Sequence, residues 1–379
     1  MKIAFYSDTF WPQVNGVVRS LVTLAETLRE RGHEIEVHAP SAPGGESPDL
    51  RGIRVLRYAS FTLPNYRQYR LVIPTFGRWR SLSGRPDIIH THTPFGVGWE
   101  AVAAAKHLGR PLVGTHHTLA EKFRVYLPLL PVPIARSLVL RYTARYYRHC
   151  QLVLASSKAV ADELKAGGLT QLVQWISNPL DTDRFIGSAP KEALKQRFGL
   201  SSPALLYHGR IAAENRVEVL LDAMAGIYRA APQITLTIAG DGPNLQHLKQ
   251  HAARLGLQNA VKFPGMLHGQ ELTQLIVASD IFVSPSDSEN QSMALLEAMA
   301  AGLAIVATRG GGTPEQVVEG ENAYLAEPGD REGLAAGVRE LLNEPDRCRR
   351  FGERSRELAQ RFDRHHVAEA LEKVYAALI

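Results

Sequence analysis

Short apolar runs alternate along this chain with longer stretches in which apolar residues recur at helical spacing. Residues 2–7 are the first apolar run. Over residues 17–31, Val18, Leu21, Leu24, Ala25 and Leu28 fall on one helical face, and Gly32 ends the pattern. Strands are expected at 34–38, 53–57, 87–90, 111–115 and 152–155, with helices at 101–108 and 134–149. The stretch 177–190 (SNPLDTDRFIGSAP) is dense in turn formers and breaks the rhythm. It then restarts, with strands at 204–207, 234–239, 261–263, 281–284 and 304–307. The intervening helices are expected at 216–230, 245–255, 271–279 and 292–301. Apolar strands alternating with helices predict parallel sheets covered on both faces. The expected fold class is α/β, with two doubly wound, Rossmann-like domains. We place them at 1–178 and 179–360, with a final helix at about 361–379 returning to the first. Ligands bind such sheets at the carboxyl ends of the strands, so a site is expected in the cleft between the two domains.

The length, 379 residues, agrees with two domains at roughly 150 residues each. Apolar residues are 45% and charged residues 21%, which excludes widespread disorder and collagen-like structure. Cys150 and Cys348 are too few for a disulfide framework or a zinc cage and fit a reducing cytoplasm. No apolar stretch reaches the 18 or so residues of a membrane span. The N-terminal stretch enters a strand pattern after one lysine, and no secretory leader is expected.

Charge adds an asymmetry. The net value is +5, yet residues 1–150 hold 20 Lys/Arg against 10 Asp/Glu, and the remainder holds 23 against 28. Residues 51–86 carry eight arginines and no acid, and 121–148 carry six basic residues against Glu121 alone. A one-sided basic surface attracts phosphorylated ligands, acidic lipid headgroups or nucleic acid. The alternative is a solvated basic face. No nucleic-acid-binding motif accompanies the charge, and no nucleic-acid partner is expected.

Three places offer a helix N-terminus to an anion. The first is Asn15-Gly16-Val17-Val18. The second is Gly310-Gly311-Gly312-Thr313-Pro314-Glu315-Gln316, in which Thr313 is expected as the N-cap and Gln316 as the partner in a capping box. The third is Glu289-Asn290-Gln291-Ser292-Met293, ahead of the helix carrying Glu297. Glu289 and Glu297 have seven residues between them. Two acids beside a glycine-rich turn suit recognition of sugar hydroxyls, since carboxylates are strong acceptors. An acid near a helix start is equally a dipole partner.

The stretch SPSDSENQSMALLEAMAAGLAIVATRGGGTPEQV resembles the E-x7-E region of retaining glycosyltransferases of the GT-B fold, family 4. HGRIAAENRVEVLLDAM is similar to the G-R-x-x-x-E-K-N phosphate-binding element of that family, and IAGDGP, VKFPGML and FWPQVNGVVRSL match in order. The resemblance covers essentially the whole chain. It implies a nucleotide-diphospho-sugar donor held mainly by the C-terminal domain. Arg210 would pair with the diphosphate, Gly16 would approach the same phosphates, and Glu297 would accept the ribose hydroxyls. Glu289, with amides near Gln291, Ser292 and Met293, would hold the donor sugar. Met266 would lie against the base, and His117 beside the sugar 6-hydroxyl, with His116 and His92 as lesser candidates. Three positions depart from the family pattern. Asn215 stands where a lysine is usual, Ser292 where a glycine is common, and Ala304 where a proline is common. Losing one contact to a leaving oxyanion can cost on the order of 100-fold in rate. Arg216 next door is a candidate replacement for the missing charge. No metal and no other cofactor is expected, because no Asp-x-Asp stands at a strand end.

The resemblance extends to diacylglycerol glucosyltransferases and related phosphatidylinositol or sulfolipid enzymes through FWPQVNGVV and YASFTLPNYRQYRLVIP. It implies hexose transfer from UDP-glucose, ahead of GDP-mannose, to a lipid acceptor at the inner face of the cell membrane. A soluble acceptor, or nucleotide-sugar binding without transfer, are the alternatives. Arg124, Arg136, Arg141, Arg145 and Arg148, interleaved with Leu and Tyr, are the residues expected to meet the membrane. Flotation with vesicles checks this expectation. Binding should need anionic lipid and weaken as salt rises, because the attraction decays within a Debye length of about 8–10 Å. Indifference to anionic vesicles at low salt would remove the basis for a membrane partner.

Overall fold

Strand β1 (Lys2–Tyr6) is apolar on both sides, and four of its five residues are buried. Such a strand must lie inside a sheet that is covered twice. Ile3 and Phe5 enter one apolar cluster and Ala4 and Tyr6 another. The computed structural model describes residues 1–13, 15–41, 50, 52–63, 66–76, 84–117, 130–187 and 189–379. The chain divides into two units, Met1–Pro179 with Arg364–Ile379, and Leu180–Asp363.

In the first unit β1 lies between β2 (Glu34–Pro40), with β3 (Arg54–Tyr58) beyond it, and β6 (Ile88–Thr91), followed by β7 (Leu112–His116), β8 (Leu152–Ala155) and β9 (Val173–Trp175). Every pairing in this sheet is parallel. Helices α1 (Gly16–Glu30), α2 (Gly96–Leu108), α3 (Val132–Tyr147) and α4 (Lys158–Ala166) cross between the strands. An antiparallel hairpin, β4 (Ser60–Leu63) with β5 (Tyr66–Val72), stands apart from the main sheet. It was not expected, because the run YRQYR has no apolar alternation to announce a strand.

The second unit repeats the plan with six parallel strands in the order β12-β11-β10-β13-β14-β15. These are β10 (Ala204–His208), β11 (Thr235–Ala239), β12 (Val261–Gly265), β13 (Ile281–Ser284), β14 (Ala304–Thr308) and β15 (Ala323–Ala326). Leu205 and Leu206 of β10 enter opposite clusters. The helices are α5 (Lys191–Phe198), α6 (Val217–Ala230), α7 (Leu245–Arg254), α8 (Gly269–Ala278), α9 (Met293–Ala301), the four-residue α10 (Thr313–Gln316), α11 (Arg331–Asn343) and α12 (Pro345–Ala359). The last helix, α13 (Arg364–Ala376), belongs to the first unit. Its Ala368, Leu371 and Tyr375 join the cluster of Ile3, Phe5, Leu21 and Leu28, and its Glu372 pairs with Arg31 at 2.6 Å.

In each sheet the strand order turns at one central strand. β1 has β2 on one side and β6 on the other, and β10 lies between β11 and β13. Loops leaving such switch points are where doubly wound sheets bind ligands. Asp8 follows β1, His92 follows β6, Arg210 follows β10 and Glu289 follows β13. Among the described residues no helix is long and apolar enough to cross a membrane.

Candidate active site

In the second unit, two turns close on the loop that carries Glu289. The turn at Ala213–Asn215 holds it from one side. Asn215 is buried, and its amide Nδ2 donates to Glu289 Oε1 at 3.0 Å. Ser288 Oγ donates to the carbonyl of Glu214 at 3.2 Å. Arg216 sits at φ +49°, a left-handed conformation, and its Nε meets Asp287 Oδ2 at 2.9 Å. The turn before α10 holds the same loop from the other side. Gly312 donates its amide to the carbonyl of Glu289 at 2.8 Å. Gly311 has φ +53°, and a Cβ there would lie 2.0 Å from that carbonyl oxygen. Only glycine meets both conditions. The three glycines therefore serve a close approach of two backbones.

Two expectations change here. Thr313 is not the cap of α10; Gly312 takes that position, with no side-chain cap. Gln316 does not close a capping box. Its Oε1 accepts from the amide of Ser292 at 2.9 Å and its Nε2 donates to the Ser292 carbonyl at 3.1 Å. Of the amides expected near the donor sugar, that of Ser292 is thus already engaged by Gln316. The Ser292 hydroxyl caps α9 by accepting from Leu295 N at 3.3 Å. Arg216, considered as a substitute for the missing lysine, is held by Asp287 instead. Gln291 is buried and Met293 half-buried at the start of α9.

Glu297 lies in the second turn of α9 and is 1% exposed. Arg184 Nη1 stands 3.8 Å from Oε1 and His208 Nδ1 3.7 Å from Oε2. Both distances are too long for hydrogen bonds, and only the Arg184 approach brings a fixed charge to Glu297. Arg210, just past β10, is exposed, and its carbonyl accepts from the Tyr207 hydroxyl at 3.0 Å. Met266, just past β12, is 42% exposed.

The first unit gathers a second set of groups. Asn15 caps α1, accepting from Val18 N at 3.0 Å and donating to Thr9 Oγ1 at 2.8 Å, so Gly16 opens a helix with its own cap. Helix α2 has no side-chain cap of its own; Phe95 occupies that position. Asp8 supplies the missing acceptor. Its Oδ1 accepts from Val97 N at 2.7 Å, and its Oδ2 accepts from the Thr93 hydroxyl at 2.7 Å. Burial pushes the Asp8 carboxyl up to about 6 despite these donors. Sequence reasoning passed over Asp8, although an acid directly after the first strand was the available signal.

His90 of β6, His92 just past it and His117 just past β7 form a further group in this unit. His90 is fixed by the Tyr375 hydroxyl at 2.6 Å and by Thr115 Oγ1 at 2.7 Å. His92 lies against His90, with ring centroids 4.3 Å apart, and its Nδ1 meets His117 Nε2 at 3.0 Å. His117 also bonds the Asn178 side chain, and Asn178 Oδ1 accepts from Ser20 of α1 at 3.0 Å. Burial lowers all three rings: His117 to about 4, His90 to about 3, and His92 well below the ordinary value. His116 turns the other way, its Nδ1 3.3 Å from the Tyr147 hydroxyl in the core.

Of the expected membrane residues, Arg124 lies outside the described residues, as does the rest of 118–129. Arg136 pairs with Glu163 at 3.0 Å, and Arg148 donates to the Gly168 carbonyl at 2.9 Å. Arg141 and Arg145 are exposed, on the α3 face that also shows Ile134, Leu138 and Tyr142. Among the described residues no three His, Cys, Asp or Glu side chains gather in a metal-binding arrangement.

Four desolvated histidines set a pH dependence for folding. His38, His90, His92 and His117 all have pKa values lowered by burial. The unfolded chain takes up these protons near 6.5, and the folded chain does not. Stability should therefore fall as pH drops from about 6.5 toward 4, by at most about 1.4 kcal/mol per pH unit for each histidine. Asp8 has the opposite sign between 3.8 and about 6 and offsets one proton. Urea unfolding midpoints at pH 7, 6 and 5 check this, and a midpoint that is flat or rises toward pH 5 contradicts it.

Residues 190–358 match the family model "Glycosyl transferases group 1", and residues 14–184 match "Glycosyltransferase Family 4". A GDP-mannose-dependent alpha-mannosyltransferase of Mycobacterium tuberculosis is 31% identical over 92% of this chain and 89% of its own length. An alpha-monoglucosyldiacylglycerol synthase of Streptococcus pneumoniae is 28% identical over 81% of this chain and 71% of its own. The crystal structure of Anabaena HepE in complex with UDP superposes with a TM-score of 0.83 over the full length of both chains, at 23% identity.

Proposed function

Because this chain belongs to the family 4 glycosyltransferases of the GT-B fold, we propose that it transfers a hexose, with retention, from a nucleotide-diphospho-sugar to a lipid acceptor. The site of action is the cytoplasmic face of the membrane. The observation that carries the donor half is the pair of carboxylates in the β13–α9 region. Glu289 is held in place from two sides, and Glu297 is buried in the helix that follows the same loop. Glu297 would accept the ribose hydroxyls and Glu289 the hydroxyls of the hexose.

Chemically, the acceptor oxygen attacks the anomeric carbon on the face from which the diphosphate leaves. An oxygen of the departing phosphate takes the acceptor proton. Charge builds on the diphosphate as the sugar becomes oxocarbenium-like, and a fixed cation there lowers the barrier. Arg210 is the cation for this role, since Arg216 is committed to Asp287 and Asn215 carries no charge. Met266 would cover the base. No metal enters this scheme. His117 is neutral at pH 7 and would stand beside the sugar as a polar wall.

UDP-glucose is the first donor to test. The HepE structure carries UDP, whereas the mycobacterial relative is described as GDP-mannose-dependent, so GDP-mannose comes second. The lipid acceptor is supported by the likeness to the diacylglycerol-glucosylating relative and by the face of α3 that joins Arg141 and Arg145 to Ile134, Leu138 and Tyr142. Basic residues beside exposed apolar ones suit the headgroup layer. Asn215 favours one further reading, in which nucleotide-sugar is bound and little is transferred.

A donor panel followed by mass analysis of products made with a lipid extract tests the proposal. A hexosylated lipid supports it. Donor binding with neither transfer nor hydrolysis supports the binding-only reading. Glu297→Ala should weaken binding of the free nucleoside diphosphate by about 1–3 kcal/mol, the usual cost of leaving buried hydroxyls without their acceptor. Unchanged affinity in calorimetry would refute the ribose assignment.

A further inference from the structure

We infer that His92 is a positioning residue that holds His117 in a single tautomer, with the His117 proton on Nδ1 and the Nε2 lone pair filled. The two rings lie 12° from coplanar with centroids 5.3 Å apart. With a 3.0 Å contact between His92 Nδ1 and His117 Nε2, this is an edge-to-edge hydrogen bond in the ring plane, not a face-to-face stack. Burial keeps both rings neutral at pH 7. A bond between two neutral imidazoles needs one N–H and one lone pair, so only two arrangements exist.

In the first, His92 Nδ1–H donates to His117 Nε2. His92 Nε2 is then a bare lone pair, and His117 carries its proton on Nδ1. In the second, His117 Nε2–H donates to His92 Nδ1, and His92 must carry its own proton on Nε2. His92 is 3% exposed, and its Nε2 has no hydrogen-bond partner among the described residues. The second arrangement would therefore bury an N–H with no acceptor, which folded proteins rarely tolerate. The first leaves only an unfilled lone pair. It also lets His117 Nδ1–H donate to Asn178, in keeping with a bond that favours protonation of the ring.

The neighbours of His92 hold it in the required pose. His90, itself anchored by Tyr375 and Thr115, lies against one face at 4.3 Å between centroids. Phe5 meets His92 edge-on at 5.2 Å. His92 N donates to the Tyr6 carbonyl at 2.8 Å, which ties the loop after β6 to the end of β1. The chain of bonds then runs from His92 through His117 and Asn178 to Ser20 of α1. On the transferase reading given above, on which this consequence rests, His117 is a fixed neutral group and not a general base, because Nε2 already accepts a proton donor.

The tautomer is read directly from long-range proton–nitrogen NMR spectra of the full chain with labelled histidine. Wild type should show His117 with a protonated Nδ1 and a bare Nε2. His92→Phe keeps a ring in the stack and removes the donor, so the His117 nitrogen shifts should move toward a mixture of tautomers. His92→Asn restores an N–H donor and should restore the wild-type pattern. A wild-type His117 protonated on Nε2 overturns the inference. So do His117 shifts that are unchanged in His92→Phe. Should His92→Phe fail to fold, the wild-type and His92→Asn spectra still decide. With a working donor, kcat of His92→Phe should fall roughly 10- to 100-fold with little change in donor KM, as misplacement of a site group does. His92→Asn should recover it. The spectra need no turnover, so failure of the transferase reading would leave this result intact and separately legible.

Discussion

The second unit of this protein depends on two turns gripping one loop. The amide of Gly312 donates to the carbonyl of Glu289, and Gly311 approaches that carbonyl closer than any Cβ allows. Gln316 then binds Ser292 through both ends of its amide. On the other side, Asn215 holds the Glu289 side chain, and Arg216 holds Asp287. A carboxylate on a free loop would lose conformational entropy on meeting a sugar. Here that ordering has taken place during folding, which is how pre-organised sites gain affinity. The loop starts where a fully buried strand, β13, ends, so the sheet fixes its origin and the two turns fix its path.

The same logic shapes the first unit with different chemistry. Helix α2 begins without a cap of its own, and Asp8 from the end of β1 provides one. Three histidines, on β6 and in the loops leaving β6 and β7, are packed into a row between Tyr375 of α13 and Asn178. Burial keeps them neutral, which removes the cost of enclosing charge and leaves their nitrogens to hydrogen bonding. The last helix is therefore part of this arrangement, although it lies at the far end of the sequence.

Parallel sheets write themselves plainly into a sequence, because their central strands are buried on both sides. The runs KIAFY, IFVS and AIVAT could be little else, and the helices between them carry a clear stripe. The E-x7-E spacing and the glycine run were legible for the same local reason. Partners distant in sequence were not. Nothing at Asn215 announces that its amide faces Glu289, 74 positions on, and a lysine-for-asparagine comparison pointed to a phosphate instead. Gln316 had the spacing of a capping box, yet its helix is one turn long and its side chain reaches Ser292. The hairpin at 60–72 escaped notice because arginines and glutamine interrupt its alternation. Arg136 and Arg148 read as free basic residues until their acceptors, Glu163 and the Gly168 carbonyl, came into view.

On the proposed function, one pre-formed carboxylate loop and one arginine hold a nucleotide-sugar. A crystal structure of the full chain with a nucleoside-diphosphate hexose tests it most directly. The account predicts the ribose hydroxyls within hydrogen-bonding distance of Glu297, the hexose hydroxyls on Glu289 and the diphosphate on Arg210, with the 287–292 loop unmoved. A nucleotide seated away from Glu297 and Arg210, or a loop that rebuilds itself to reach the sugar, would contradict it.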